Sequence, residues 1–154
     1  MYQVEITVDE ALSGQLSAEP LEAAARATLA HQNAPPAELT ILITGDEMLT
    51  ALNQSYRGMP VSTDVLAFPY PAGDEGPSLP IPYLGDIAIS LPRAREQATA
   101  GGHTAEAELH LLIVHGVLHL LGHNHAEPEE KARMWAAQGE ILRWLRVSVQ
   151  MGDE

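Results

Sequence analysis

Residues 104–125 read TAEAELHLLIVHGVLHLLGHNH, and this stretch decides how the chain is organised. Thr104 can cap a helix, with Glu106 and Glu108 near its positive end. The run from Leu109 to Leu121 is apolar except for its histidines, which predicts a buried helix. It is too short and too polar for a membrane span. Gly122 suits the left-handed position just past a helix end.

His115 and His119 stand four residues apart. On a helix they leave one face, with Cβ atoms roughly 6 Å from each other. That separation lets two imidazoles reach one ion at about 2.0–2.1 Å. The next helical turn offers no third ligand of equal geometry. A helix end at Gly122 lets the chain swing His125 back to the same ion. Three neutral imidazoles leave the charge of a divalent ion intact and one coordination position open. That is the catalytic pattern, since structural zinc sites are closed by four protein ligands. The chain has no cysteine, so a metal must use His or carboxylate. His115, His119 and His125 are therefore the candidate ligands of one divalent ion, by preference zinc. The plainer reading, three inert hydrogen-bonded histidines, must explain polar rings in an apolar helix, where they are costly without partners. His123 is expected to point elsewhere, and His110 lies on a different face. His31 and His103, at helix ends, are expected on the surface.

Outward from this helix the chain alternates. Tyr2, Val4, Ile6 and Val8 alternate with polar residues, the period of a half-buried strand. Ser17 can cap a helix with Leu21, Ala24, Ala25 and Leu29 on one face. Glu38 to Thr44 reads as a second strand, and Gly45-Asp46 as the start of a short helix. A strand is expected around Asp64 to Phe68, and a fourth from Gly85 to Ser90. Between them, residues 69–82 hold five prolines and two glycines and predict an irregular loop. Pro92 opens a helix that Gly101-Gly102 closes, and Pro128 opens the last one. The expected fold is α+β: a small mixed sheet of about four strands against helices, with the histidine helix central and buried. The 154 residues suit one domain spanning 1–154.

The formal net charge is −13. It disfavours non-specific binding to nucleic acid or anionic membrane, so a phosphate substrate needs a metal or a placed Arg. The first ten residues, MYQVEITVDE, do not have the pattern of a signal peptide. With the absence of cysteine, this fits a cytoplasmic protein. The spacing H-x3-H-x2-G-x2-H is also that of metzincin peptidases. Those carry Glu after the first His as general base, where this chain has Gly116.

The motif resembles that of the YbeY family, bacterial endoribonucleases of ribosomal RNA maturation, whose pattern is close to H-G-x-L-H-L-x-G-H/Y-D-H. Two further blocks are similar: LNQSYRGMPVSTDVLAFP from Leu52 to Pro69, and LGDIAIS from Leu84 to Ser90. MWAAQGEIL, from Met134 to Leu142, resembles the family's last helix. Asn124 stands where the family usually has Asp, Ser62 for a usual Pro and Ala67 for a usual Ser. The resemblance implies a metal-dependent, single-strand-directed endoribonuclease, with His115, His119 and His125 as ligands and Arg57 as the functional cation. Arg suits that role because it forks onto phosphate bidentately and stays charged. Asp86 matches a family Asp, either orienting a ligand imidazole or belonging to a turn or cap. Arg93 and Arg95 are further candidates for RNA contact. The implied partners are single-stranded ribosomal RNA and the small ribosomal subunit or its assembly factors, with no membrane. The rival readings are a metallopeptidase, disfavoured by Gly116, and a ribosome-assembly factor whose metal is chiefly structural.

Overall fold

The alternating segments form four strands: β1 (Tyr2–Val8), β2 (Ala37–Thr44), β3 (Val65–Pro69) and β4 (Tyr83–Ser90). The segments with helical period form α1 (Ala18–His31), α2 (Asp46–Arg57), α3 (Leu91–Gly101), α4 (Ala105–Leu120) and α5 (Pro128–Trp144). This computed structural model describes residues 2–70, 81–147 and 149. Most of the expected loop over 69–82 lies outside the described residues.

The strands make one mixed sheet in the order β1-β2-β4-β3. β1, β2 and β4 run parallel, and β3 returns antiparallel along β4. Parallel neighbours need crossovers, which α1 and α2 with β3 provide. One face of the sheet is fully apolar, through Leu39, Ile41, Ile43, Ile87 and Ile89, and is covered by α1, α3 and α4. Helix α5 packs on the outer side of α4, where Val114 and Leu118 meet Met134, Ile141 and Leu142. This is the expected α+β architecture with the histidine helix at its centre.

Two glycines set how closely these layers approach. Gly85 has φ +143°, and a Cβ there would lie 2.3 Å from the Phe68 carbonyl oxygen. Its bare backbone lets β3 close on β4. A Cβ on Gly116 would meet Ile87 at 3.0 Å, so the missing side chain lets α4 settle on the sheet.

The start of α2 is tied to the rest of the fold through Asp46. Its Oδ1 accepts hydrogen bonds from Ser90 Oγ at 2.7 Å and Ser62 Oγ at 2.9 Å. Arg93 Nε stands 3.5 Å from the same oxygen. The Ser90 hydrogen bond, then the Ser62 bond and the Arg93 charge, hold the Asp46 carboxyl below its usual range against the cost of burial. Ser90 Oγ also caps α3. The opposite end of α2, at Arg57, is thereby aimed at the edge strand β3.

Several local expectations need correction. Ser17 precedes α1 but makes no side-chain cap bond. Pro20 occupies the third helical position and has no N–H to offer it. His103 is not a surface residue: its side chain is 8% exposed and its Nε2 lies 2.5 Å from Oε1 of the equally buried Glu108. His31 is also largely covered, bridging Glu140 and Gln32. His31 ends α1 and His103 lies between α3 and α4, and in each case a carboxylate from another helix, Glu140 of α5 or Glu108 of α4, meets the ring.

Candidate metal centre

Helix α4 ends in a Schellman motif. The His123 N–H donates to the Leu118 carbonyl at 3.0 Å, and the Gly122 N–H to that of His119 at 3.0 Å. Gly122 takes φ +102°, which turns the chain back on itself. His125 thus returns to the face that carries His115 and His119. One ring nitrogen from each histidine falls within 4.8 Å of the others. The Nε2 atoms of His115 and His119 are 3.0 Å apart. Ligand nitrogens around a tetrahedral zinc stand roughly 3.3 Å apart, given bond lengths of about 2.0–2.1 Å. The pair from α4 is already at that spacing, and His125 needs a small inward adjustment.

The other ring nitrogens are held from behind. His115 Nδ1 lies 2.6 Å from Gln138 Oε1 of α5, and His119 Nδ1 lies 2.9 Å from the His123 carbonyl oxygen. With Nδ1–H donating in each case, the Nε2 lone pairs face the common point. Two lone pairs 3.0 Å apart need a cation or a proton between them. Trp135 of α5 sets its ring against both His115 and His125, with centroids 5.9 and 5.7 Å away.

Electrostatics favour the neutral form of His115 and His119, the form that binds metal. Burial, then the neighbouring His115, pushes His119 down to about 4, against the raising effect of the His123 carbonyl. Arg57 contributes to the same lowering, which places its charge within reach of the cluster. Burial also lowers His115, while the Gln138 hydrogen bond and the Asp64 charge oppose it. Arg57 is the exposed last residue of α2 and makes no hydrogen bond or ion pair among the described residues. It is therefore available to a ligand.

The structure thus brings together His115, His119 and His125, with Arg57 near enough for its charge to act on His119. His123 turns away, its Nε2 2.7 Å from Gln32 Oε1. His110 is buried and bonds the Glu106 carbonyl at 2.7 Å, as a residue outside the cluster. Asp86 does not orient an imidazole. It lies on the sheet face away from α4, hydrogen-bonded by the Tyr83 hydroxyl. The Gln138 amide holds His115 instead, a role that sequence reading missed because α5 comes within reach only in the folded chain. Asn124 bonds the Ala126 N–H at 3.1 Å and donates to Glu130 at 3.2 Å, so it shapes the turn before α5. Arg93 is engaged with Asp46, and Arg95 donates to Gln15 at 2.8 Å.

The sequence model of the family described as Endoribonuclease YbeY matches residues 2–146. A protein of that name from Roseiflexus sp. is 44% identical over 151 residues, covering 94% of this chain and 94% of its own. One from Chloroflexus aurantiacus is 43% identical, covering 94% and 96%. One from Geobacillus kaustophilus is 41% identical over 140 residues, covering 84% and 89%. The solution structure of TM1509 from Thermotoga maritima superposes with a TM-score of 0.60 at 22% identity, over 95% of this chain and 92% of that one. That likeness shows a shared fold.

Proposed function

The chain belongs to the endoribonuclease YbeY family, and from that premise we infer that it is a metal-dependent endoribonuclease that cleaves single-stranded RNA in ribosomal RNA maturation. The observation that carries this reading is the convergence of three imidazole nitrogens within 4.8 Å, beside the exposed Arg57. The donor set fits a divalent ion, zinc by preference: His115 and His119 are held towards their neutral form and locked from behind, and one nitrogen of each of the three rings lies within 4.8 Å of the others. His115, His119 and His125 would hold it. Such an ion supplies Lewis acidity, polarising a phosphoryl oxygen and acidifying water towards a pKa of about 7.

The chain's own groups do the rest. Arg57 forks onto two phosphate oxygens and stabilises the charge that grows on them. Gln138 and the His123 carbonyl keep His115 and His119 in one tautomer, so that their Nε2 atoms stay unprotonated. Trp135 packs against two of the rings and limits their rotation.

A peptidase mechanism lacks its base. The position after the first ligand is Gly116, and a side chain there would point at Ile87 in the core rather than at the cluster. A purely structural metal fits less well, since three ligands leave a position open. The acidic surface favours a partner that presents the RNA, and we assign that role to the small ribosomal subunit, in the cytoplasm. No helix among the described residues is long and apolar enough to cross a membrane.

The test is cleavage of a defined single-stranded RNA with analysis of the product ends. Arg57→Ala should lower kcat/KM at least about a hundredfold, the scale of losing one transition-state charge donor. Arg57→Lys should recover only part, because an ammonium cannot fork. Full activity of Arg57→Ala would remove that residue from the mechanism. Metal-dependent hydrolysis of peptides but not RNA would overturn the reading.

A further inference from the structure

The sheet face turned away from α4 holds a second recess, a groove of about 320 Å³. Strand pairing sets its floor: Phe68 lies opposite Asp86 across β3 and β4, and Asp86 opposite Thr40 across β4 and β2. Residues paired this way share a face, with Cβ atoms about 5 Å apart. Tyr56, on the last turn of α2, forms one wall. Its ring leans on Phe68 with centroids 4.5 Å apart, yet the residue is 67% exposed. Asp86 is an exposed carboxylate whose Oδ1 accepts from the Tyr83 hydroxyl, and Tyr83 Oη also stands 2.8 Å from Thr40 Oγ1. Asp86 Oδ2 has no hydrogen-bond partner among the described residues. No Lys or Arg lines the groove.

These features describe a ligand. An exposed aromatic face stacks on a flat π-system. A carboxylate without a neighbouring cation repels phosphate and accepts from N–H groups. Nucleobases have both properties, and guanine alone carries two adjacent donors, N1–H and the 2-amino group, on one edge. Those two match the two oxygens of one carboxylate. Cytosine and adenine offer a single amino group there, and uracil a single ring N–H. Position agrees with chemistry. Tyr56 immediately precedes Arg57 on the last turn of α2, so one wall of the groove adjoins the cation assigned to phosphate.

We propose that the groove between Tyr56, Phe68 and Asp86 is a nucleobase subsite that selects guanine in the bound RNA strand. The proposal rests on the nuclease reading for its connection to cleavage. Tyr56 supplies the stacking surface and Asp86 the specificity, with Tyr83 holding the carboxylate in place.

The experiment uses metal-loaded protein and uridine pentamers carrying guanine, inosine or adenine at the centre. Equilibrium binding and cleavage are measured on the same samples. Inosine keeps N1–H and lacks only the 2-amino group. Wild type should bind the guanine pentamer about tenfold more tightly than the inosine one. Asp86→Asn, which replaces one acceptor oxygen by a donor, should make the two equal. Tyr56→Ala should weaken all three pentamers at least about fivefold, and Tyr56→Phe should restore binding because the ring is what stacks. Both changed side chains are exposed, so the fold should survive, and circular dichroism checks this. Equal binding of guanine and inosine by wild type overturns the proposal, as does a preference that persists in Asp86→Asn. Discrimination without cleavage would uphold the base site and defeat the nuclease reading. Cleavage without discrimination would do the reverse.

Discussion

At the residue scale the site depends on which nitrogen of each histidine is free. Burial and the neighbouring His115 hold His119 down to about 4, below its value of 6.5 in an unfolded chain. In metal-free protein, the unfolded chain therefore takes up a proton between these pH values that the folded chain refuses. This contribution to stability is full above 6.5 and is lost as pH falls through about 4. Urea midpoints of metal-free protein from pH 7.5 to 4 should fall more steeply for wild type than for His119→Asn; parallel curves would show that His119 titrates normally. Gln138 is the other residue on which the site turns. Gln138→Leu keeps the volume in a buried place and removes the acceptor for His115 Nδ1, so zinc affinity should fall by about ten- to a hundredfold. Competition with a chelator measures it, and an unchanged affinity would deny the amide its role. The three histidines were legible from spacing, since a helix fixes what four residues apart means. Gln138 was not, because spacing says nothing about which side chain of a later helix will face them. Asp86 drew notice as a carboxylate in a matching block, but strand alternation puts it on the wrong face, opposite to Ile87.

At the scale of elements, the turn after α4 brings a third imidazole to the pair that α4 presents. Gly122 has φ +102° and nothing within 4 Å of where a Cβ would lie. Replacement by Ala thus introduces backbone strain without a clash, at a cost of about 1–3 kcal/mol. Gly122→Ala should lower both stability and zinc affinity, whereas Gly122→Asn, which tolerates the left-handed region better, should lose less of each. Thermal unfolding with and without metal separates the two effects. Stability lost with zinc affinity intact would mean that His125 does not depend on this turn. Gly116→Ala differs, because its Cβ would press on Ile87 at 3.0 Å; overpacking of this kind costs about 1–3 kcal/mol and should leave the histidines in register. Helix and strand positions were largely legible, since the period of the apolar residues changes from two to 3.6 along the chain. The strand order was not. Alternation marks a half-buried strand but does not name its neighbour, and the placement of β4 between β2 and β3 follows from the crossovers. The buried His103–Glu108 pair was hidden for a similar reason. The start of α4 looks solvated in sequence, yet both side chains end up covered.

At the scale of the molecule, the charge of −13 limits how RNA can be held. Of the eight Lys and Arg, Arg26 pairs with Glu22, Arg93 with Asp46, Arg95 donates to Gln15 and Lys131 lies over the Trp135 ring; Arg57 ends α2, and Arg133, Arg143 and Arg146 lie along and just after α5. Few phosphates are then neutralised, and each contact with a single strand contributes a slope of about −0.7 in log affinity against log salt. A salt titration should give a shallow slope, near one or two contacts; a slope equivalent to six or more would reveal a basic surface that these pairings do not provide. Weak binding by the isolated chain follows, which is why the reading assigns presentation of the RNA to a larger partner. On the proposed function, His115, His119 and His125 hold one ion without which RNA is not cut. The most direct measurement strips the metal, restores zinc in steps, and follows bound metal and single-stranded RNA cleavage together in wild type and His119→Ala. Wild-type activity should vanish on stripping and return in proportion to zinc, reaching its plateau near one ion per chain, while His119→Ala should retain neither metal nor activity. Cleavage that persists in the stripped protein, or full metal binding in His119→Ala, would contradict that function.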